Sequence, residues 1–174
     1  MITEKMEQLL NEQVQKEFYS AYLYMSMEAY LEELNLKGFA HFFRVQAQEE
    51  RDHAMMFFKY ITYVQGSVKL MQIDQPNLEF NSPLDVFKAA YNHELTVTKS
   101  IYNIVDLALE EKDHKTNSFL QWFVNEQAEE ESNTDDNVKK LQFIGNDSRA
   151  ILMHDAELMT RMYNLPINPA IGPV

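Results

Sequence analysis

Helix-breaking residues are scarce in this chain, and where they fall decides most of what it can fold into. Of 174 residues only four are glycine and five are proline, and Pro166, Pro169 and Pro173 crowd into the tail. Between the breakers run long stretches in which apolar residues recur at helical spacing. The first spans about Thr3 to Leu34, with Met6, Leu10, Val14, Ala21, Tyr24 and Leu31 on one face. The second spans about Lys37 to Gln65, with Phe39, Phe43, Gln46, Ala47, Ala54, Phe57, Ile61 and Val64 on its stripe, and stops at Gly66. A third opens at Ser82-Pro83, an N-cap followed by a first-turn proline, and continues to about Glu111. A short turn, Asp113 to Lys115, leads into a fourth from about Thr116 to Ile144, which stops at Gly145. Asn146 or Asp147 caps a shorter fifth helix to about Tyr163, and the proline-rich tail cannot stay helical for long.

The connections between these helices set their topology. Only a few residues around Asn35 join the first two, so these are antiparallel neighbours. Residues 66 to 82, by contrast, carry no helical pattern, and a loop of that length needs a reason. Extended, it reaches roughly 55 to 60 Å, whereas a 30-residue helix is about 45 Å long. The loop can therefore run the full length of a bundle and start the third helix at the same end as the second. The chain reads as one all-α domain over 1–174: a four-helix bundle with one long crossover and a short fifth helix.

Composition narrows the function classes. The chain carries 27 acidic and 15 basic residues, a net charge of −12. That disfavours nucleic acid and anionic membrane surfaces as partners, which need lysine and arginine, and suits small cations. Cysteine is absent, which excludes disulfides and thiolate metal sites. The charged start MITEKMEQLL shows no signal-peptide pattern, and no apolar run approaches a membrane span, so a cytoplasmic location is expected.

The informative residues are those that interrupt the apolar stripes. Glu17 sits among Leu10, Val14, Ala21 and Tyr24; Glu50 and His53 sit among Phe43, Ala47, Ala54 and Phe57. Glu94 lies among Ala90, Tyr91, Thr98 and Ile101, and Gln127 and Glu130 follow Phe119 and Phe123. Each long helix thus offers a ligand-capable group near the middle of its inward face. Burying one unpartnered carboxylate costs several kcal/mol, and several together oppose one another's ionisation. A multivalent cation removes that conflict, and carboxylates with one imidazole suit iron or manganese. Glu50 and His53, at i and i+3, share one helical face. A Glu-x-x-His with further glutamates from other helices resembles the ligand pattern of ferritin-like di-iron bundles.

On these motifs the sequence resembles the non-haem ferritins of bacteria over essentially the whole chain. The resemblance rests on Glu17, the run QEERDH with Glu49, Glu50 and His53, Glu94, and the run WFVNEQAEEE with Glu126, Gln127, Glu129 and Glu130. It implies a ferroxidase that oxidises Fe(II) with dioxygen or peroxide and stores the ferric mineral inside a homo-oligomeric shell of about 24 subunits. By resemblance, Glu17, Glu50 and His53 would hold one iron, and Glu50, Glu94 and Gln127, helped by Glu130, the second. Glu49, Glu126, Glu129 and Glu130 would form a third iron site, and Tyr24 and Trp122 match aromatic residues beside the centre. On residue pattern alone Tyr24 is either core packing or a redox-capable phenol. The fifth helix would pack about the four-fold axes.

Departures from relatives are equally specific. Bacterioferritins carry a second Glu-x-x-His in the fourth helix and a haem-ligating methionine after the glutamate of the first. Here those places read Gln127-Ala128-Glu129-Glu130 and Arg51, so no haem is expected. The intersubunit metal site and basic tails of DNA-coating mini-ferritins do not fit this chain. The stretch Thr116 to Leu120 lacks the carboxylates that line three-fold entry pores in animal heavy chains. His93 reads as peripheral, and His41, His114 and His154 as surface residues. A di-metal oxygenase or peroxidase, and a non-catalytic helical oligomer, remain rivals that shell size and iron binding would separate.

Overall fold

Side-chain caps open most of the helices in the computed structural model, which describes residues 2–173. Helix α1 (Glu4–Glu33) begins with Thr3 accepting from the Met6 amide, and α3 (Pro83–Glu110) with Ser82 accepting from Asp85. Helix α4 (His114–Ile144) begins with Asp113 accepting from Thr116, and α5 (Ser148–Leu158) with Asp147 accepting from Arg149 and Ala150. Helix α2 (Lys37–Tyr63) is the exception: Leu36 precedes it and has no polar side chain to offer. The first three helices end on residues with positive φ, Asn35, Gln65 and Lys112. In each case the next amide reaches back to a carbonyl one turn inside, as in Gly66 N to Ile61 O at 2.8 Å and Asp113 N to Ala108 O at 2.8 Å.

Three boundaries differ from the sequence reading, the first being the end of α2, which stops at Tyr63 rather than Gln65. The segment Asp113 to Lys115 is no turn: Asp113 is itself the cap, so α4 starts two residues before Thr116. Helix α5 ends at Leu158, short of Tyr163. Thr160 and Arg161 instead form tight turns onto Glu157 and Leu158, which lets Arg161 fold back onto α2. The tail ends in a two-residue antiparallel hairpin, Ile167–Asn168 with Gly172–Pro173. Asn168 is fully buried and donates to the Phe119 carbonyl at 3.1 Å.

Cross-helix pairs fix the directions of the helices. Gln46 meets Glu130 and Tyr60 meets Thr116, so α2 and α4 run antiparallel. Tyr24 meets Glu94 and Thr3 meets Glu111, so α1 and α3 do likewise. With α1 and α2 antiparallel, α2 and α3 are parallel, which demands the full-length crossover. That crossover lies along α1. Asn11 clamps its start, donating to Ser67 O at 3.0 Å and accepting from Lys69 N at 2.6 Å, and Ser26 donates to Asn77 O at 2.6 Å near its end.

The core is split in two. One apolar cluster gathers Leu10, Phe57, Ile101, Phe119 and Phe123; the other gathers Tyr24, Met27, Phe39, Phe43, Phe87 and Leu141. Between them lies a belt of buried polar groups: Glu17, Glu50, His53, Glu94, Gln127 and Glu130. The two clusters supply the burial that holds the helices together, and the belt is the part of the bundle left for chemistry.

Candidate metal centre

The belt is built from all four long helices. Ligand-capable atoms of Glu17, Glu50 and His53 lie within 4.8 Å of one another, and all three residues are buried. His53 Nδ1 is 3.5 Å from Glu50 Oε2, and its Nε2 is 3.9 Å from Glu126 Oε1. Trp122 packs edge-on against the imidazole with ring centroids 5.4 Å apart, and Phe123 does so at 5.9 Å, which restricts ring rotation. Glu94 joins from α3. Tyr24 donates its phenol proton to Glu94 Oε1, and the Gln127 amide nitrogen lies 3.1 Å from Glu94 Oε2 and 3.2 Å from Thr98 Oγ1. Glu130 accepts from Gln46 Nε2 at 2.8 Å.

This arrangement is electrostatically unfavourable without a cation. Burial and then the Glu94 charge push the Glu50 carboxyl well above its usual range, and burial raises Glu17 as well. Glu94 rises to about 8, from burial and then from Glu130. No N–H or hydroxyl donor among the described residues reaches Glu17 Oε2, Glu50 Oε2 or His53 Nε2, and the Glu17 and Glu50 carboxyls are close enough to share a proton. Buried polar atoms are almost always satisfied, so carboxylate oxygens and an imidazole nitrogen without such donors in one cluster are atoms available to a metal ion. The donor set, hard carboxylate oxygens with one nitrogen and no sulfur, could hold a hard or borderline metal ion.

Comparison with known proteins gives the family. The sequence profile of the ferritin-like domain matches residues 7–144. The chain belongs to the ferritin family. A bacterial non-heme ferritin of Staphylococcus aureus is 36% identical over 164 residues, covering 94% of this chain and 99% of the relative. The corresponding protein of Staphylococcus epidermidis is 38% identical over the same share of each chain. Among solved structures, an open pore ferritin from the hyperthermophilic archaeon Archaeoglobus fulgidus superposes with a TM-score of 0.92 at 48% identity, covering 93% of this chain and all (100%) of that one. A closed form engineered from the Archaeoglobus fulgidus ferritin gives 0.92 at 47% identity, over 94% and 100%.

Outside the buried belt, this ferritin gathers a second group of acids. Glu49 and Glu126 are half-buried and Glu129 is exposed. Burial is the main reason that Glu49 and Glu126 both rise to about 7; Glu129 and Glu130 push each further up, and Arg161 opposes the rise. The sequence reading missed Arg161. Its Nη2 lies 2.6 Å from Glu49 Oε2, and its guanidinium sits 4.3 Å from the centroid of the Phe42 ring. His41 Nε2 holds the Arg161 carbonyl at 2.8 Å. Nothing in the local sequence of Arg161 signals this pairing, because it depends on where α5 ends.

Gln13 and Gln46 were also missed as parts of the site, although both fall on the helical faces that carry ligands. Gln13 donates to Glu17 Oε1 at 2.8 Å, an i to i+4 pair that the spacing made available. Of the histidines, His154 is a correction: it is buried rather than at the surface, edge-on to Phe39 with centroids 5.4 Å apart. It was misread because α5 looks like a solvent-facing helix until it is docked on α2. His41 is half-buried, and only His114 is exposed. His93 is half-buried beside the belt, its Nε2 2.7 Å from Ser20 Oγ, and burial lowers it to about 4.

Proposed function

We propose that this ferritin stores iron, oxidising Fe(II) at the buried belt and depositing ferric oxyhydroxide inside a hollow cytoplasmic shell of about 24 subunits. The observation that carries the reading is the trio of ligand atoms on Glu17, Glu50 and His53 that no N–H or hydroxyl donor among the described residues reaches, set between two apolar clusters. In this reading Glu17, Glu50 and His53 hold the first iron, and Glu50, Glu94, Gln127 and Glu130 hold the second, with Glu50 shared. Iron here is the substrate, and two ferrous ions together supply the electrons that reduce dioxygen or peroxide.

The chain's own residues set the rest of the chemistry. The buried carboxylates bind as anions, so taking up iron releases the protons that burial otherwise favours on them. Their negative charge favours the ferric product over the ferrous substrate. Gln127 is neutral and is held by Glu94 and Thr98, so it binds more weakly than a carboxylate would and lets the second iron leave for the mineral. Tyr24 donates a hydrogen bond through its phenol O–H to Glu94; burial and that carboxylate raise it well above the ordinary tyrosine range, so it stays protonated and orients Glu94 rather than acting as a phenolate ligand. Glu49, Glu126 and Glu129, with Glu130, form a third and outer iron site on the route away from the belt.

Aerobic ferrous loading followed by size-exclusion chromatography with iron analysis tests this reading. A large particle that retains many irons per subunit is the expected result. A monomer or dimer, or a particle that oxidises iron without retaining it, would favour a di-metal oxygenase or peroxidase instead.

A further inference from the structure

The two oxygens of Glu17 are not equivalent. Oε2 has no N–H or hydroxyl donor among the described residues, whereas Oε1 accepts from Gln13 Nε2 at 2.8 Å. Gln13 is itself fully buried, one helical turn before Glu17. Its own oxygen accepts from Ser100 Oγ on α3 at 2.6 Å, and Ser100 Oγ accepts from Lys16 Nζ at 2.7 Å. Lysine has only donors, so Ser100 must receive from Lys16 and pass its own proton toward Gln13. That fixes the amide: oxygen toward Ser100, nitrogen toward Glu17. Every bond in the series then points the same way, from a half-buried cation to a buried carboxylate, crossing between α1 and α3.

We propose that Gln13, Ser100 and Lys16 are positioning residues that occupy one oxygen of Glu17, leaving the other as a single ligand atom for the first metal and setting the affinity there. The proposal rests on the reading of Glu17, Glu50 and His53 as a metal site. Without the Gln13 amide, Glu17 could rotate, present both oxygens, or turn away from His53. Hydrogen-bond partners that orient a ligand in this way typically contribute about 10- to 100-fold in metal affinity.

The test is anaerobic Co(II) titration of the assembled protein, followed by calorimetry and by the visible spectrum of bound Co(II), which reports ligand number and geometry. Gln13→Leu should weaken the tightest site by about 10- to 100-fold and change its spectrum. Ser100→Ala, on another helix and only half-buried, should act in the same direction by up to about 10-fold, and Ser100→Thr, which keeps the hydroxyl, should restore wild-type binding. The Ser100 variants keep the proposal open to refutation if Gln13→Leu does not fold. Wild-type affinity and spectrum in Ser100→Ala, with or without a lower melting temperature, would overturn the relay while leaving the metal site standing. Absence of tight Co(II) binding in the wild-type protein would overturn both.

Discussion

Replacing Gly38 with alanine probes how the short fifth helix is held. A Cβ at Gly38 would lie 1.6 Å from the Asp155 carbonyl oxygen and 2.5 Å from its carbon, both backbone atoms of α5. Neither can swing aside as a side chain could, so α5 would have to retreat by roughly 2 Å to reach ordinary contact distance. That retreat breaks the bond from the Phe39 amide to Asp155 Oδ1, now 2.8 Å, which caps the otherwise uncapped start of α2. A hydrogen bond to a charged group is worth about 1.5–3 kcal/mol, and residual overpacking adds about 1–3 kcal/mol. Helix α5 has only 11 residues and buries only His154 fully, so it has little local stability with which to resist. The expected outcome is undocking of α5 from an otherwise folded four-helix core, with release of Arg161 from Glu49. Hydrogen exchange should show lost protection over 148–158 with the protection of α1 to α4 largely kept, and native mass should show poorer assembly. Unchanged protection over 148–158 in Gly38→Ala would refute the argument that this close approach seats the helix.

Three further outcomes address the chemistry. His53→Ala should keep its assembly but lose most of the initial Fe(II) oxidation rate in stopped-flow absorbance, because the one imidazole within ligand distance of Glu17 and Glu50 is gone; wild-type rates would place the centre elsewhere. Changing Glu49, Glu126 and Glu129 together to alanine should spare the first rapid oxidation of two irons per subunit and alter later turnover, and complete loss of the first phase would refute the division into inner and outer sites. Glu94, at about 8 in the fold against 4.5 when unperturbed, holds its proton more tightly folded than unfolded. The metal-free protein should therefore lose stability as pH rises from about 4.5 to about 8, while Zn(II) should bind more tightly over the same range and reverse the loss. Melting temperatures measured with and without Zn(II) across that range check it, and a metal-free melting point that climbs towards pH 8 would contradict the assignment.

Much of the architecture was legible in the chain because it depends on short-range geometry. Breakers at Gly66, Pro83 and Gly145 delimit helices because glycine and proline act on their own backbone. Glu17, Glu50, His53, Glu94 and Gln127 could be assigned to inward faces because a 3.6-residue period places each beside apolar neighbours a turn away, and all five are buried. The boundary of α4 was misplaced by two residues because Asp113 reads equally well as a turn residue and as a cap. What the chain could not disclose are the contacts between residues far apart along it. Asp155 caps α2 across 116 residues, and Arg161 meets Glu49 across 112. Both follow from α5 stopping at Leu158 and lying against Gly38, a packing choice that helical periodicity does not encode. The distinction between the two oxygens of Glu17 is of the same kind. The helix supplies Gln13 at the right spacing, but only the approach of α3, bringing Ser100 within reach of both Gln13 and Lys16, decides which oxygen stays free.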